Sequence, residues 1–153
     1  YWNYDAATIG ELNLGYHTLA IIKPDSISKN NTGKIIDRIL DGGFQILAMQ
    51  QIMLTRERAE AFYAVHSERP FFNDLVEFMT SKPCVPIALK KEDAVTSFRE
   101  LIGATNPDEA DEGTIRRDFA ENVQNNAVHG SDSDENAVKE IAFFFPSLEI
   151  PIG

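Results

Sequence analysis

A chain of 153 residues with 43% hydrophobic content carries enough apolar material for one domain with a sizeable core. Its formal net charge of -10 argues against non-specific binding to nucleic acid or to anionic membranes, although a few local cations suffice to hold a phosphate. The one cysteine, Cys84, excludes an intrachain disulfide and suits a reducing, cytoplasmic compartment; no apolar run is long enough to span a bilayer.

Residues 1–15 are polar and aromatic without a clear period, and they lack the basic start and apolar stretch of a signal peptide. They read as an extension, an arm for a partner subunit, or an expression remnant, and residues 16–153 read as one domain. Thr18 to Ile22 is a short β-branched run, which predicts a buried strand. Pro24-Asp25 starts a turn and leaves Lys23 at the strand end. Asn30, Asn31 or Thr32 caps a helix whose apolar residues are Ile35, Ile36, Ile39 and Leu40, and Gly42-Gly43 ends it. Phe44 to Leu54 reads as a long strand interrupted by Gln50-Gln51. Thr55 caps the next helix, with Ala59, Phe62, Tyr63 and His66 along one side.

Pro70 opens a further helical segment at Phe71-Phe72, continued by Leu75, Val76 and Met79. Val85 to Leu89 predicts a third strand, in which Pro86 favours an edge or a strand start because it cannot donate to a ladder. Asp93 to Ile102 predicts a helix stopped by Gly103. An acidic loop from Ala104 to Gly113 follows, with a turn at Asn106-Pro107, and then a short helical turn from Thr114 to Phe119. A short strand near Val128 leads into His129. The last helix starts near Asp134 with Val138, Ile141, Ala142 and Phe145 on one face. This order predicts an α+β sandwich of ferredoxin-like type: a four-stranded antiparallel sheet with helices packed on one face.

His129 thus sits where a strand ends and a helix leaves, held by a rigid element yet open to a cleft. That placement suits a nucleophile or a general base. A lone turn histidine is more often a plain surface residue, and a lone Phe-Phe pair such as Phe71-Phe72 is more often core. Other stretches of the chain shift that balance.

Five motifs stand in order: Ile22-Lys23-Pro24-Asp25, Glu68-Arg69-Pro70-Phe71-Phe72, Gly103-Ala104-Thr105-Asn106-Pro107, Gly113-Thr114-Ile115-Arg116, and Asn126-Ala127-Val128-His129-Gly130-Ser131-Asp132-Ser133. Together they make residues from about Thr18 to Ile150 resemble the nucleoside diphosphate kinases. The resemblance implies a ferredoxin-like fold and transfer of a γ-phosphate from a nucleoside triphosphate to a nucleoside diphosphate through a phosphohistidine. By the same resemblance His129 matches the phosphorylated histidine, reacting through Nδ1. Lys23 and Asn126 match ligands of the sugar hydroxyls and nearby phosphate oxygens, and Phe71 matches the ring that stacks on the base. Arg99, Thr105 and Arg116 match phosphate ligands. Tyr63 matches a tyrosine close to the histidine, Glu140 a glutamate that orients the imidazole, and Ser131 a serine beside it.

General chemistry agrees with these roles. Phosphoryl transfer needs positioning and charge neutralisation, arginine forks suit phosphate oxygens, and stacking reads no base identity. No Walker A spacing surrounds Gly33-Lys34, and no cluster resembles a protein-held metal site, so Mg2+ is expected to enter with the nucleotide phosphates. His17 and His66 have no motif around them and read as structural. Ala104 stands where an acidic residue is frequent in the family. The resemblance also implies a homo-oligomer, a tetramer or hexamer built from dimers, with the short C-terminus favouring the tetramer. The competing readings are a non-catalytic nucleotide-binding or protein-interaction domain of the same fold, which the intact set Lys23, Arg99, Arg116, Asn126 and His129 disfavours, and a nucleic-acid-binding module, which the net charge disfavours.

Overall fold

A computed structural model of the chain describes residues 15–148. The expected N-terminal extension lies outside the described residues except for Gly15. Four strands, β1 (His17–Ile22), β2 (Gln45–Met49), β3 (Val85–Lys90) and β4 (Val128–Gly130), form one sheet in the order β2-β3-β1-β4. Every pairing is antiparallel. The helices are α1 (Pro24–Ser28), α2 (Thr32–Asp41), α3 (Arg56–Phe62), α4 (Phe72–Ser81), α5 (Ala94–Ile102), α6 (Ile115–Phe119) and α7 (Asp134–Phe144). This is the ferredoxin-like arrangement that the element order predicts. Among the described residues no helix is long and apolar enough to cross a membrane.

Helices cover both faces of the sheet rather than one. All six residues of β1 are buried. Because strand side chains alternate, Ala20 and Ile22 pack on one side with Ile35 and Ile39 of α2 and Phe98 and Ile102 of α5. Leu19 and Ile21 pack on the other side with Ala59 of α3, Val76 and Met79 of α4, and Ile141 and Phe144 of α7. A strand buried on both faces reads as a continuous apolar run, which is why Thr18–Ile22 shows no alternation.

Local chemistry explains most boundaries. The side chains of Thr55, Thr114 and Ser133 accept from the main-chain N–H groups of Arg58, Arg117 and Asn136, which caps α3, α6 and α7. Pro24 does more than start a turn: at the first position of α1 its fixed φ suits a helix, and its missing N–H would have had no intrahelical partner. Phe44–Leu54 does not form one long strand. The β2 ladder shifts register between Ile46 and Ala48 and stops at Met49, leaving an isolated bridge between Ile52 and Cys84. Tyr63 and His66 fall beyond α3, His66 in a 3-10 turn. In α7 the buried residues are Ala137, Val138, Ile141 and Phe144, whereas Ala142 is exposed and Phe145 follows the last turn.

Pro86 lies in an interior strand, not at an edge. Its carbonyl accepts from Gln50 N on the β2 side, so the missing N–H also faces that side, just past the last β2 pairing, Met49 with Ile87. The proline is tolerated where the ladder has already loosened.

Candidate active site

The sheet brings Lys23, at the end of β1, beside Asn126 and Ala127, at the entry to β4. Lys23 N donates to the Ala127 carbonyl at 2.9 Å. Within β4, His129 pairs with Ile21 and so projects to the same face of the sheet as that residue. That is the face covered by α3, α4 and α7.

Three of the expected residues meet at one oxygen. Glu140, one and a half turns into α7, places Oε1 at 2.8 Å from His129 Nε2 and at 2.8 Å from Ser131 Oγ. Ser131 Oγ donates to the carboxylate and accepts from Leu19 N at 3.1 Å, so the fully buried serine ties the network to β1. A carboxylate only accepts, so Nε2 is the protonated ring nitrogen and Nδ1 keeps its lone pair. The imidazole side chain stays 22% exposed, which leaves it accessible to a substrate.

Lys23 and Asn126 form a second group. Lys23 Nζ donates to Asn126 Oδ1 at 2.9 Å and to the Gln124 carbonyl at 3.1 Å, and it lies over the Phe78 ring. Burial pushes the lysine down from its ordinary 10.5 to about 8; Asp25 opposes that shift and Arg116 adds to it. Arg116, from α6, donates through Nη1 to the Gly103 carbonyl at 3.0 Å and through Nη2 to the Val128 carbonyl at 2.9 Å. Its guanidinium therefore bridges the end of α5 and the strand that carries His129. Two donors are spent on carbonyls, and one further N–H on each Nη remains for a ligand. Burial first, and the Arg99 charge second, bring Arg116 down to about 10. Arg99, on α5, is itself exposed, as is Thr105 in the bend that follows Gly103.

Gly103 is required at that bend. Its φ is +87°, and an added Cβ would stand 2.6 Å from Thr114 Oγ1. The close approach lets the start of α6 dock against the end of α5 and sets Arg116 in place.

Two expected residues sit differently from the rest. Tyr63 is buried in the core, and burial together with Cys84 and Glu140 raises its phenol. The ring in contact with the imidazole is Phe62, edge-on with centroids 5.6 Å apart. Sequence periodicity places Phe62 only on an apolar helix side. Phe71 is 49% exposed just before α4, with its ring 5.6 Å from that of His66. That exposure removes the plain-core reading of Phe71.

Asp25 is a residue the sequence motif contained without assigning. Its Oδ2 accepts from the buried N–H of Ala127 at 3.0 Å. Burial raises its carboxyl, against the opposing pull of Lys23 and of that N–H. Among the described residues no group of three or more His, Cys, Asp or Glu stands where it could hold a metal ion.

An imidazole held on a carboxylate, on a strand whose flanking residues Asn126 and Val128 hold the buried cations Lys23 and Arg116, suits a phosphoryl group, and the relatives of this chain agree. The family described as nucleoside diphosphate kinase matches residues 16–150. The nucleoside diphosphate kinase of Campylobacter curvus is 62% identical over 133 residues, covering 87% of this chain and 97% of that protein. That of Salinibacter ruber is 58% identical over 133 residues, covering 87% and 94%. The crystal structure of the Aquifex aeolicus nucleoside diphosphate kinase gives a TM-score of 0.85 at 48% identity, covering 88% of this chain and 98% of that one. The apo Encephalitozoon cuniculi nucleoside diphosphate kinase gives 0.85 at 37% identity, covering 90% and 94%. Similarity of this extent, in sequence and in backbone, carries one conclusion: the chain belongs to the nucleoside diphosphate kinase family.

Proposed function

We propose that the chain moves a γ-phosphate from a nucleoside triphosphate to a nucleoside diphosphate in two half-reactions through His129. The carrying observation is the 2.8 Å contact of His129 Nε2 with Glu140, which leaves Nδ1 as the nucleophilic nitrogen. Nδ1 attacks the γ-phosphorus, the bond to the bridging oxygen breaks, and the diphosphate leaves with that electron pair. A second diphosphate then takes the phosphoryl group from Nδ1 by the reverse step, which gives ping-pong kinetics. Glu140 stabilises the imidazolium formed on attack, and Ser131 keeps the carboxylate aimed.

Lys23 and Asn126 bind the sugar hydroxyls and the adjacent phosphate oxygens. Arg99, Thr105 and Arg116 spread the charge of the transferring group. Phe71, exposed at the start of α4, stacks on the base without reading it. Tyr63 packs on Phe62, whose ring meets the imidazole, and so backs the histidine from the core. No side-chain cluster among the described residues would hold Mg2+, so the ion would come with the nucleotide and would supply neutralisation of phosphate charge. Loss of turnover to a chelator, restored by added magnesium, is the expected check.

The domain is residues 16–153, acting as a homo-oligomer in the cytoplasm. The lone, buried Cys84 suits that compartment. Incubation with γ-labelled ATP followed by denaturing electrophoresis tests the central step. The expected result is acid-labile label on the protein, absent in His129→Ala, which still binds nucleotide. Substantial turnover by His129→Ala would refute the mechanism, and an unlabelled native protein would support the non-catalytic alternative.

A further inference from the structure

Ala127 stands two residues before His129 in a conformation that alanine avoids. Its φ is +73°, and Val128 N donates across it to the Asn126 carbonyl at 2.8 Å. This is a three-residue turn of the rare positive-φ kind, strained for any residue with a Cβ. Both polar groups of Ala127 are taken by the segment that follows β1. Its N–H donates to Asp25 Oδ2 at 3.0 Å. Its carbonyl accepts from Lys23 N at 2.9 Å and from Ser26 Oγ at 3.2 Å. Ala127 is fully buried, so without the carboxylate its N–H would have no water to turn to.

The turn sits between two site groups. On one side Asn126 holds the Lys23 ammonium; on the other Val128 holds Arg116 and leads into His129. A charged acceptor gives a stronger hydrogen bond than a neutral one, so a carboxylate suits a turn that must be held against its own preference. Asp25 also faces Lys23 across this turn, and Lys29 is the next cation that acts on it.

We propose that Asp25 is a positioning residue for phosphoryl transfer: its carboxylate holds the strained turn at Ala127, and through that turn it places Asn126, Lys23 and His129. The proposal rests on the assignment of His129 as the phosphorylated residue. Asp25 touches no reacting atom in this scheme, and its effect passes through backbone geometry. Displacements of the order of an ångström at a reacting group cost up to about a hundredfold in rate.

The test is single-turnover labelling of His129 by γ-labelled ATP, at a temperature well below the melting point of each variant. A loss of stability alone does not move that rate. Asp25→Ala is expected to slow labelling by about tenfold to a hundredfold. Adding Ala127→Gly to Asp25→Ala should recover most of the rate, because glycine adopts a positive φ without the clamp. Asp25→Glu keeps the charge but shifts the acceptor, and it is expected to slow labelling too; it keeps the test open if Asp25→Ala does not fold. A lowered melting point with labelling at the native rate, in Asp25→Ala or Asp25→Glu, overturns the proposal. So does a double variant no faster than Asp25→Ala. If the native protein takes no label, it is the assignment of His129 that fails.

Discussion

In the proposed mechanism Glu140 chooses the nucleophilic nitrogen of His129, since a carboxylate on Nε2 leaves only Nδ1 with a lone pair. In the same proposed mechanism Lys23 bears on the pH range from the alkaline side. Lys23 loses its proton near pH 8 in the free protein because burial penalises the ammonium. If Lys23 grips the nucleotide as proposed, that cation is lost through this pH, so kcat/KM, which reports the free enzyme, should show an alkaline limb near pH 8. A bound polyphosphate favours the ammonium, so the limb in kcat should lie at higher pH. Stability moves the opposite way. Between about 8 and 10.5 the unfolded lysine still holds a proton that the folded one has released, so the Lys23 contribution to stability rises with pH across that window. Steady-state kinetics and thermal melts over pH 6 to 10.5 separate the two trends. A kcat/KM profile flat to pH 10 would show that the Lys23 charge is not needed for binding.

At the level of elements, His129 rides on a three-residue edge strand whose far side is pressed against α5. A Cβ on Gly130 would stand 2.9 Å from Phe98 and 3.1 Å from Ile102, both core side chains. Gly130→Ala should therefore push β4 off the helix. The expected cost is about 1–3 kcal/mol of stability, as for other overpacked cores, with a fall in kcat because His129 moves relative to Glu140. Chemical denaturation and kcat measured on the same preparation check this; a fully stable variant with unchanged kcat would mean that β4 is free to shift. The importance of Gly130 was legible only as part of a motif, since the contact that demands glycine comes from residues 28 and more positions earlier. The same holds across the fold. Short apolar runs and capping side chains at Thr55, Thr114 and Ser133 are local signals, and they mark most elements. The end of β2 at Met49, the interior position of Pro86 and the second helical layer depend on pairing partners, which periodicity does not carry. In the site, His129 and Ser131 share one carboxylate oxygen of Glu140, and Lys23 and Asn126 form a second pair. Phe62 on the imidazole and the left-handed Ala127 came from tertiary packing alone, with no signature in the residues around them.

For the whole molecule, one side of the sheet poses a problem that a monomer leaves unsolved. β2 is an edge strand, and Met49 and Met53 on and after it are 46% and 56% exposed, with Leu40 of α2 at 50%. An exposed strand edge flanked by apolar side chains invites pairing with another chain. The loop 104–113, by contrast, is tied to its own chain by arginine side chains. Arg38 donates to the Gly113 carbonyl at 2.9 Å and pairs with Asp118, while Arg117 reaches the Asp108 carbonyl at 3.3 Å. The assembly contact is therefore expected on the β2 side, with copies related by a two-fold axis and the dimers pairing further into a tetramer or hexamer of closed symmetry. Met49→Lys with Met53→Lys should shift the assembly to smaller species while leaving the Lys23–His129 site intact, since charges on an edge strand oppose pairing. Light scattering coupled to size-exclusion chromatography at micromolar protein reads the outcome. A native mass near the 17.1 kDa of one chain, at full activity, would sink the idea of an oligomer. An assembly unchanged by the two lysines would move the interface elsewhere.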